Sequence, residues 1–178
     1  MMDMPRVQAI IETPMFLEAL SGIESAEEHR QFCKHGRAHL LDVARIAWIL
    51  NVEQGACVDR EVMYATALLH DIGRAAQYAT GEPHDEAGVR VAAAILDSLP
   101  EDMRFSEQER AGILQAIRGH RGSSKAGESD PSNCSPTRTC VLARLIKEAD
   151  HISRPCYACP VRDDCNWPDE RKNLELRI

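Results

Sequence analysis

Aromatic residues are scarce in this chain, 4% of 178 residues, and no stretch alternates apolar and polar positions between turn signals. Both absences argue against a β-sandwich or barrel, whose strands draw on aromatic and β-branched residues with a period of two. No apolar run approaches the roughly 18 residues of a membrane span. The stretch Met1 to Ile10 lacks the cationic start and long apolar core of a signal peptide. Positive charge is in deficit as well: 21 Lys and Arg stand against 28 Asp and Glu, a net charge of −7. That balance argues against a general nucleic-acid or membrane-surface binder but leaves room for a local basic pocket. Seven cysteines are an odd number, and three of them are bunched near the C-terminal end. The expectation is a cytoplasmic protein whose cysteines are thiols or metal ligands, not a disulfide framework. The length predicts one domain over 1–178, large enough to bury a core without covalent staples.

What the sequence does contain is helical signal. Thr13-Pro14 is an N-cap followed by proline at the first helical position. Ser25-Ala26-Glu27-Glu28 and Ser106-Glu107-Gln108-Glu109 have the spacing of capping boxes. From Arg37 to Leu50 an apolar stripe runs through Leu40, Val43, Ala44, Ala47 and Leu50, flanked by His39 and Asp42. Asp59 caps a helix that ends at His70-Asp71, and Asp85 is placed to cap another through Leu96. The stretch Arg74 to Pro83 reads as a loop, and Arg121 to Pro136, rich in Gly, Ser and Pro, as a surface loop. A last helix carries Leu142, Leu145, Ile146 and Ala149 and delivers Asp150. The fold class is all-α, a bundle of about five to seven helices.

His70-Asp71 is the most informative pair. An imidazole and a carboxylate side by side at a helix end finish a core poorly, but they project nitrogen and oxygen ligands together from a rigid element. Further candidates sit at helical positions on either side: His39 upstream, then His84, His120 and Asp150. The ordered set, with His39 inside His-Leu-Leu-Asp-Val-Ala, resembles the HD superfamily of metal-dependent phosphohydrolases over about Gly36 to Arg154. The resemblance implies that His39, His70, Asp71 and Asp150 hold one metal. In members with two metals, additional histidines hold the second, and His84 and His120 fall in those places. It further implies catalysis centred on Asp71 and His70, two divalent ions (iron, manganese or similar), and water attack on a nucleotide-type phosphoester or phosphoanhydride. Arg74, Arg118, Arg121 and Arg154 lie near the motifs as contacts for substrate phosphate. Asp42 or Glu148 could accept a hydrogen bond from the outward nitrogen of a ligand histidine. Two other readings remain open on the same residues: a mixed-valent di-iron oxygenase, and a non-enzymatic redox or nucleotide sensor.

Cys156-x₂-Cys159-x₅-Cys165 is the second feature, within a C-terminal cysteine loop and tail at 155–178 beyond a core of about 36–154. Three thiolates do not close a tetrahedral site. Cys33 is the expected fourth ligand, because it leads toward His39 while Asp150 leads into the cysteine loop; Cys134 and Cys140 are rivals. The spacing resembles the cluster loops of endonuclease III-type glycosylases and Cas4-type nucleases, although Ala149 occupies the place of the former's upstream cysteine. That resemblance implies a 4Fe–4S cluster, with four-thiolate zinc as the alternative.

Overall fold

In the computed structural model, which describes residues 3–119 and 138–176, three helix starts can be traced to a local side-chain hydrogen bond. Helices α1 (Pro5–Glu12) and α2 (Pro14–Ala26) meet at Thr13, whose hydroxyl accepts from the Phe16 amide at 3.2 Å. Asp59 opens α4 (Arg60–Leu69) by accepting from the Glu61 and Val62 amides at 3.0 and 3.1 Å. Ser106 and Glu109 form a reciprocal box at the start of α7 (Glu107–Gly119), with Ser106 N donating to Glu109 at 2.8 Å and Glu109 N to Ser106 Oγ at 3.3 Å. Such caps satisfy amides that have no partner within the helix, and each contributes about 1 kcal/mol.

The remaining helices are α3 (Arg37–Glu53), α5 (Arg74–Thr80), α6 (His84–Asp97) and α8 (Arg138–Ile152), and no strand occurs among the described residues. The fold is all-α, as its composition predicts. Three local readings are corrected. Ser25–Glu28 does not open a helix: α2, with Phe16, Leu20 and Ile23 on one buried face, runs into it and ends at Ala26. The expected loop after Arg74 contains α5, closed at Gly81, which takes φ +80° and donates its amide to Gln77 O. Asp85 lies inside the first turn of α6, after Pro83, and not at its cap.

Helix α4 sits at the centre, packed against α1, α3, α7 and α8. From Val62 to Leu69 every residue is buried, and the largest of these side chains gain on the order of 2 kcal/mol each from leaving water. Helix α3 lies against α4 and α8, α7 against α6 and α8, and α5 between α2 and α6. Buried Asn51 ties the α3–α4 connection, with its side chain donating to Val58 O and accepting from Val58 N at 3.1 and 3.0 Å. These packings bring the first turn of α3, the end of α4, the start of α6 and the end of α8 to one place.

Candidate metal centre

The end of α4 makes the site possible. His70 and Asp71 follow the buried run from Val62 to Leu69 and are themselves buried, and Ile72 behind them is also buried and anchors the turn. Arg74 N donates to Asp71 O at 3.0 Å and Ile72 N to Leu69 O at 3.2 Å, so the chain reverses tightly into α5. Gly73 is required there by close approach: a Cβ at this position would stand 2.0 Å from His84 O and 2.3 Å from Gly88 N. Without a side chain at residue 73, the start of α6 packs directly on the turn and delivers His84 beside Asp71.

Around this turn imidazole Nε2 atoms and carboxylate oxygens converge. His39 Nε2 lies 3.4 Å from Asp150 Oδ1 and 3.7 Å from Asp71 Oδ2. His70 Nε2 lies 3.5 Å from Asp71 Oδ2 and 3.9 Å from Asp150 Oδ1. His84 Nε2 lies 3.8 Å from the other Asp71 oxygen, Oδ1. These separations exceed those of good hydrogen bonds. They match two ligands of one ion, since bonds of roughly 2.1 Å at open angles set donor atoms about 3.0–4.0 Å apart. His39, His70 and Asp150 offer ligand atoms that all lie within 4.8 Å of one another.

The outward nitrogens fix the tautomers. His70 Nδ1 stands 2.6 Å from the carbonyl of Ala67, and His84 Nδ1 3.1 Å from Gln77 Oε1; both oxygens can only accept. Ser153 Oγ donates to Asp150 O at 2.8 Å, which leaves it to accept from His39 Nδ1 at 3.3 Å. Each histidine therefore carries its proton on Nδ1 and turns an Nε2 lone pair to the centre, as a metal ligand requires. The expected partners Asp42 and Glu148 do not take this part: they pair with Arg45 and Arg144 on the surface. The residues that do are a serine three positions after Asp150, a backbone carbonyl, and a glutamine on the helix read as a loop.

Two arginines grip the carboxylates. Arg74 Nε lies 2.9 Å from Asp71 Oδ1, and Arg154 Nη2 lies 3.2 and 3.0 Å from the two Asp150 oxygens. Burial works against ionising Asp150, but His39, His70 and Arg154 outweigh it and hold the carboxyl far below its ordinary range. Arg118 is exposed in the last turn of α7. His120 and Arg121 lie outside the described residues, as does Cys134.

A family model for the HD domain matches residues 36–154. The chain belongs to the HD-domain family. An uncharacterized protein of Clostridium beijerinckii is 36% identical over 173 residues, covering 97% of this chain and 99% of that protein. The crystal structure of a predicted HD superfamily hydrolase from an uncultured Thermotogales bacterium superposes with a TM-score of 0.57 at 21% identity, over 97% of this chain and 88% of that one. The family places the HD domain within a superfamily of metal-dependent phosphohydrolases, and its divalent metals suit the donor set found here. No helix among the described residues is long and apolar enough to cross a membrane.

Sequence reasoning missed a polar network beside the HD site. His35, buried, sets its ring edge-on to His39 with centroids 5.4 Å apart. Its Nδ1 and backbone N both meet Glu27 at 2.6 Å, and Tyr78 Oη donates to the same carboxylate at 2.5 Å. Burial and nearby Arg74 lower the affinity of His35 for a proton below its ordinary value. The only sequence signal was the four-residue spacing of His35 and His39.

Proposed function

We propose that this HD domain hydrolyses a small phosphorylated molecule, a nucleotide-type phosphoester or phosphoanhydride, at a centre held by His39, His70, Asp71 and Asp150. The observation that carries the reading is the locked set of tautomers, which aims three imidazole lone pairs at two carboxylates. A divalent cation there supplies Lewis acidity toward a phosphoryl oxygen and a water acidified toward neutral pH. The chain's own residues do the positioning. Asp71 presents Oδ2 to His39 and His70 and Oδ1 to His84, the disposition of a carboxylate shared between two positions. His84, with His120, would complete the second. Arg74 fixes the rotation of the Asp71 carboxylate and Arg154 that of Asp150. Arg118 and Arg121 are left as contacts for substrate phosphate.

The test is metal-stripped protein reloaded with Mn²⁺, Fe²⁺ or Co²⁺ and offered a panel of nucleotides and phosphodiesters. Phosphate or nucleotide release is expected, falling by roughly 10³-fold or more in Asp71→Ala. Two equivalents of metal should fall to one in His84→Ala. Oxygen uptake without phosphate release would replace this reading with an oxygenase, and nucleotide binding without turnover would replace it with a sensor.

A further inference from the structure

Cys33, Cys156, Cys159 and Cys165 line one cavity of about 310 Å³. Cys33 comes from a part of the chain distant from the other three, and none of the four forms a disulfide. Tight turns present the last three. Cys156 begins a 3₁₀ turn that Cys159 ends, donating its amide to Cys156 O at 3.2 Å, and Cys165 ends the next turn by donating to Arg162 O at 3.3 Å. Cys33 is fixed from the other side, its carbonyl accepting from Arg30 Nε at 2.8 Å. Cations share the cavity wall: Lys34, Arg154, Arg162 and Lys172. Partial burial, together with the three neighbouring thiols, raises the Cys33 thiol above its ordinary value, while Arg154 pulls it down. Four thiols under cationic cover form a pocket for a dianionic metal–thiolate centre.

We propose that these four cysteines bind a 4Fe–4S cluster against the rim of the HD site. Room decides between a cluster and a single ion. Zinc with bonds of roughly 2.3 Å draws its four sulfurs to about 3.8 Å and leaves no space between them. Here the four sulfurs are not gathered within 4.8 Å of one another, and they line, with other residues, a cavity of about 310 Å³; that spacing suits a polynuclear core. Four thiolates satisfy the ligand count of such a cluster, and the cationic wall offsets its charge.

The same wall joins the two centres. Arg154 lines the cavity and pairs with both oxygens of Asp150. Trp167, two residues beyond Cys165, packs on the Arg154 guanidinium at 4.3 Å. A cluster that fixes Cys165 and Cys156 therefore fixes Arg154 and, through it, the Asp150 carboxylate.

The experiment is full-length protein produced with ample iron and purified without oxygen, assayed for iron, acid-labile sulfide and zinc, with a visible spectrum. Sulfide is the deciding count, because ions in the HD site bring none. About four sulfides per chain and visible absorption are expected. Cys33→Ala should lose the sulfide, while Cys57→Ser, at an exposed cysteine outside the cavity, and Asp71→Ala should keep it. Retention in Asp71→Ala separates failure here from failure of the hydrolase reading. Should Cys33→Ala not fold, the wild type stripped of iron and rebuilt with ferrous iron and sulfide gives the same readout. One zinc per chain without sulfide, or no metal beyond the HD site after rebuilding, would overturn the cluster. Full sulfide in folded Cys33→Ala would overturn the assignment of the fourth ligand.

Discussion

A single proton on each histidine decides what the HD site can hold. Ser153 matters because it directs the His39 proton to Nδ1. Ser153→Ala removes that acceptor without touching a ligand. Metal affinity, read by competition with a chelator, should weaken about 10–100-fold, while helicity stays unchanged. The Glu27 carboxylate is a second case. Burial opposes its ionisation, but hydrogen bonds from Tyr78 and His35 prevail and hold its pKa below the ordinary 4.5. A carboxyl depressed in the fold stabilises it above the unfolded value and loses that contribution as pH falls through the folded one. Glu27→Gln should therefore cost about 1–3 kcal/mol near neutrality. The gap between the wild-type and variant Tm should narrow as pH drops below about 4.5; a gap independent of pH would refute the carboxylate's role.

At the scale of elements, the tightest constraint is the meeting of α5 and α6 at Gly73. Gly73→Ala forces the His84 backbone away from a Cβ that would otherwise stand 2.0 Å from His84 O. Overpacking of this kind costs about 1–3 kcal/mol, and Tm should drop by roughly 3–10 °C. The same variant should bind metal at the His84 position less tightly, measured as stoichiometry at limiting metal. The helices and their caps at Thr13, Asp59 and Ser106 were legible in the sequence because those signals are local. The gathering of His39, His70 and Asp150 was legible because His70-Asp71 stands at the end of an apolar run. The start of α5 was not. It has no side-chain cap and follows the glycine of the reversal, so its short helix is imposed by packing against α2 and α6. The Ser25–Glu28 box misled because a capping pattern also fits across the end of a helix already under way, here the last turn of α2. The acceptors of the histidine protons were hidden for a related reason: a backbone carbonyl carries no sequence signal, and Gln77 and Ser153 gain meaning only from tertiary placement.

Across the whole molecule, the C-terminal tail is bound to the helix that carries Asp150. Asn173 is buried, and its side-chain amide donates to His151 O at 2.6 Å and Arg154 O at 3.0 Å. It thereby adds a donor to carbonyls at and just beyond the end of α8, where helical partners run out. His151 meets the tail a second time, Nε2 lying 2.9 Å from Arg171 O. Asn173→Ala removes a donor from both carbonyls, which keep only the Arg154 and Cys156 amides at 3.4 and 2.9 Å. The expected loss is about 1–3 kcal/mol of stability, read as a lower denaturant midpoint. Faster protease cleavage of the tail should accompany it.

The placement of Asn173 also sets an order of events during synthesis. Helices near the N-terminus emerge first, so α3 and α4 can pack while α8 is still being made. A chain at that stage displays His39, His70 and Asp71 but has no Asp150. Even once α8 emerges, its last turn is unsecured until residue 173 follows. Completion of the donor set at the HD site thus waits until residue 173 has been made, and a nascent chain interrupted before it would carry the histidines without the clasp that steadies Asp150.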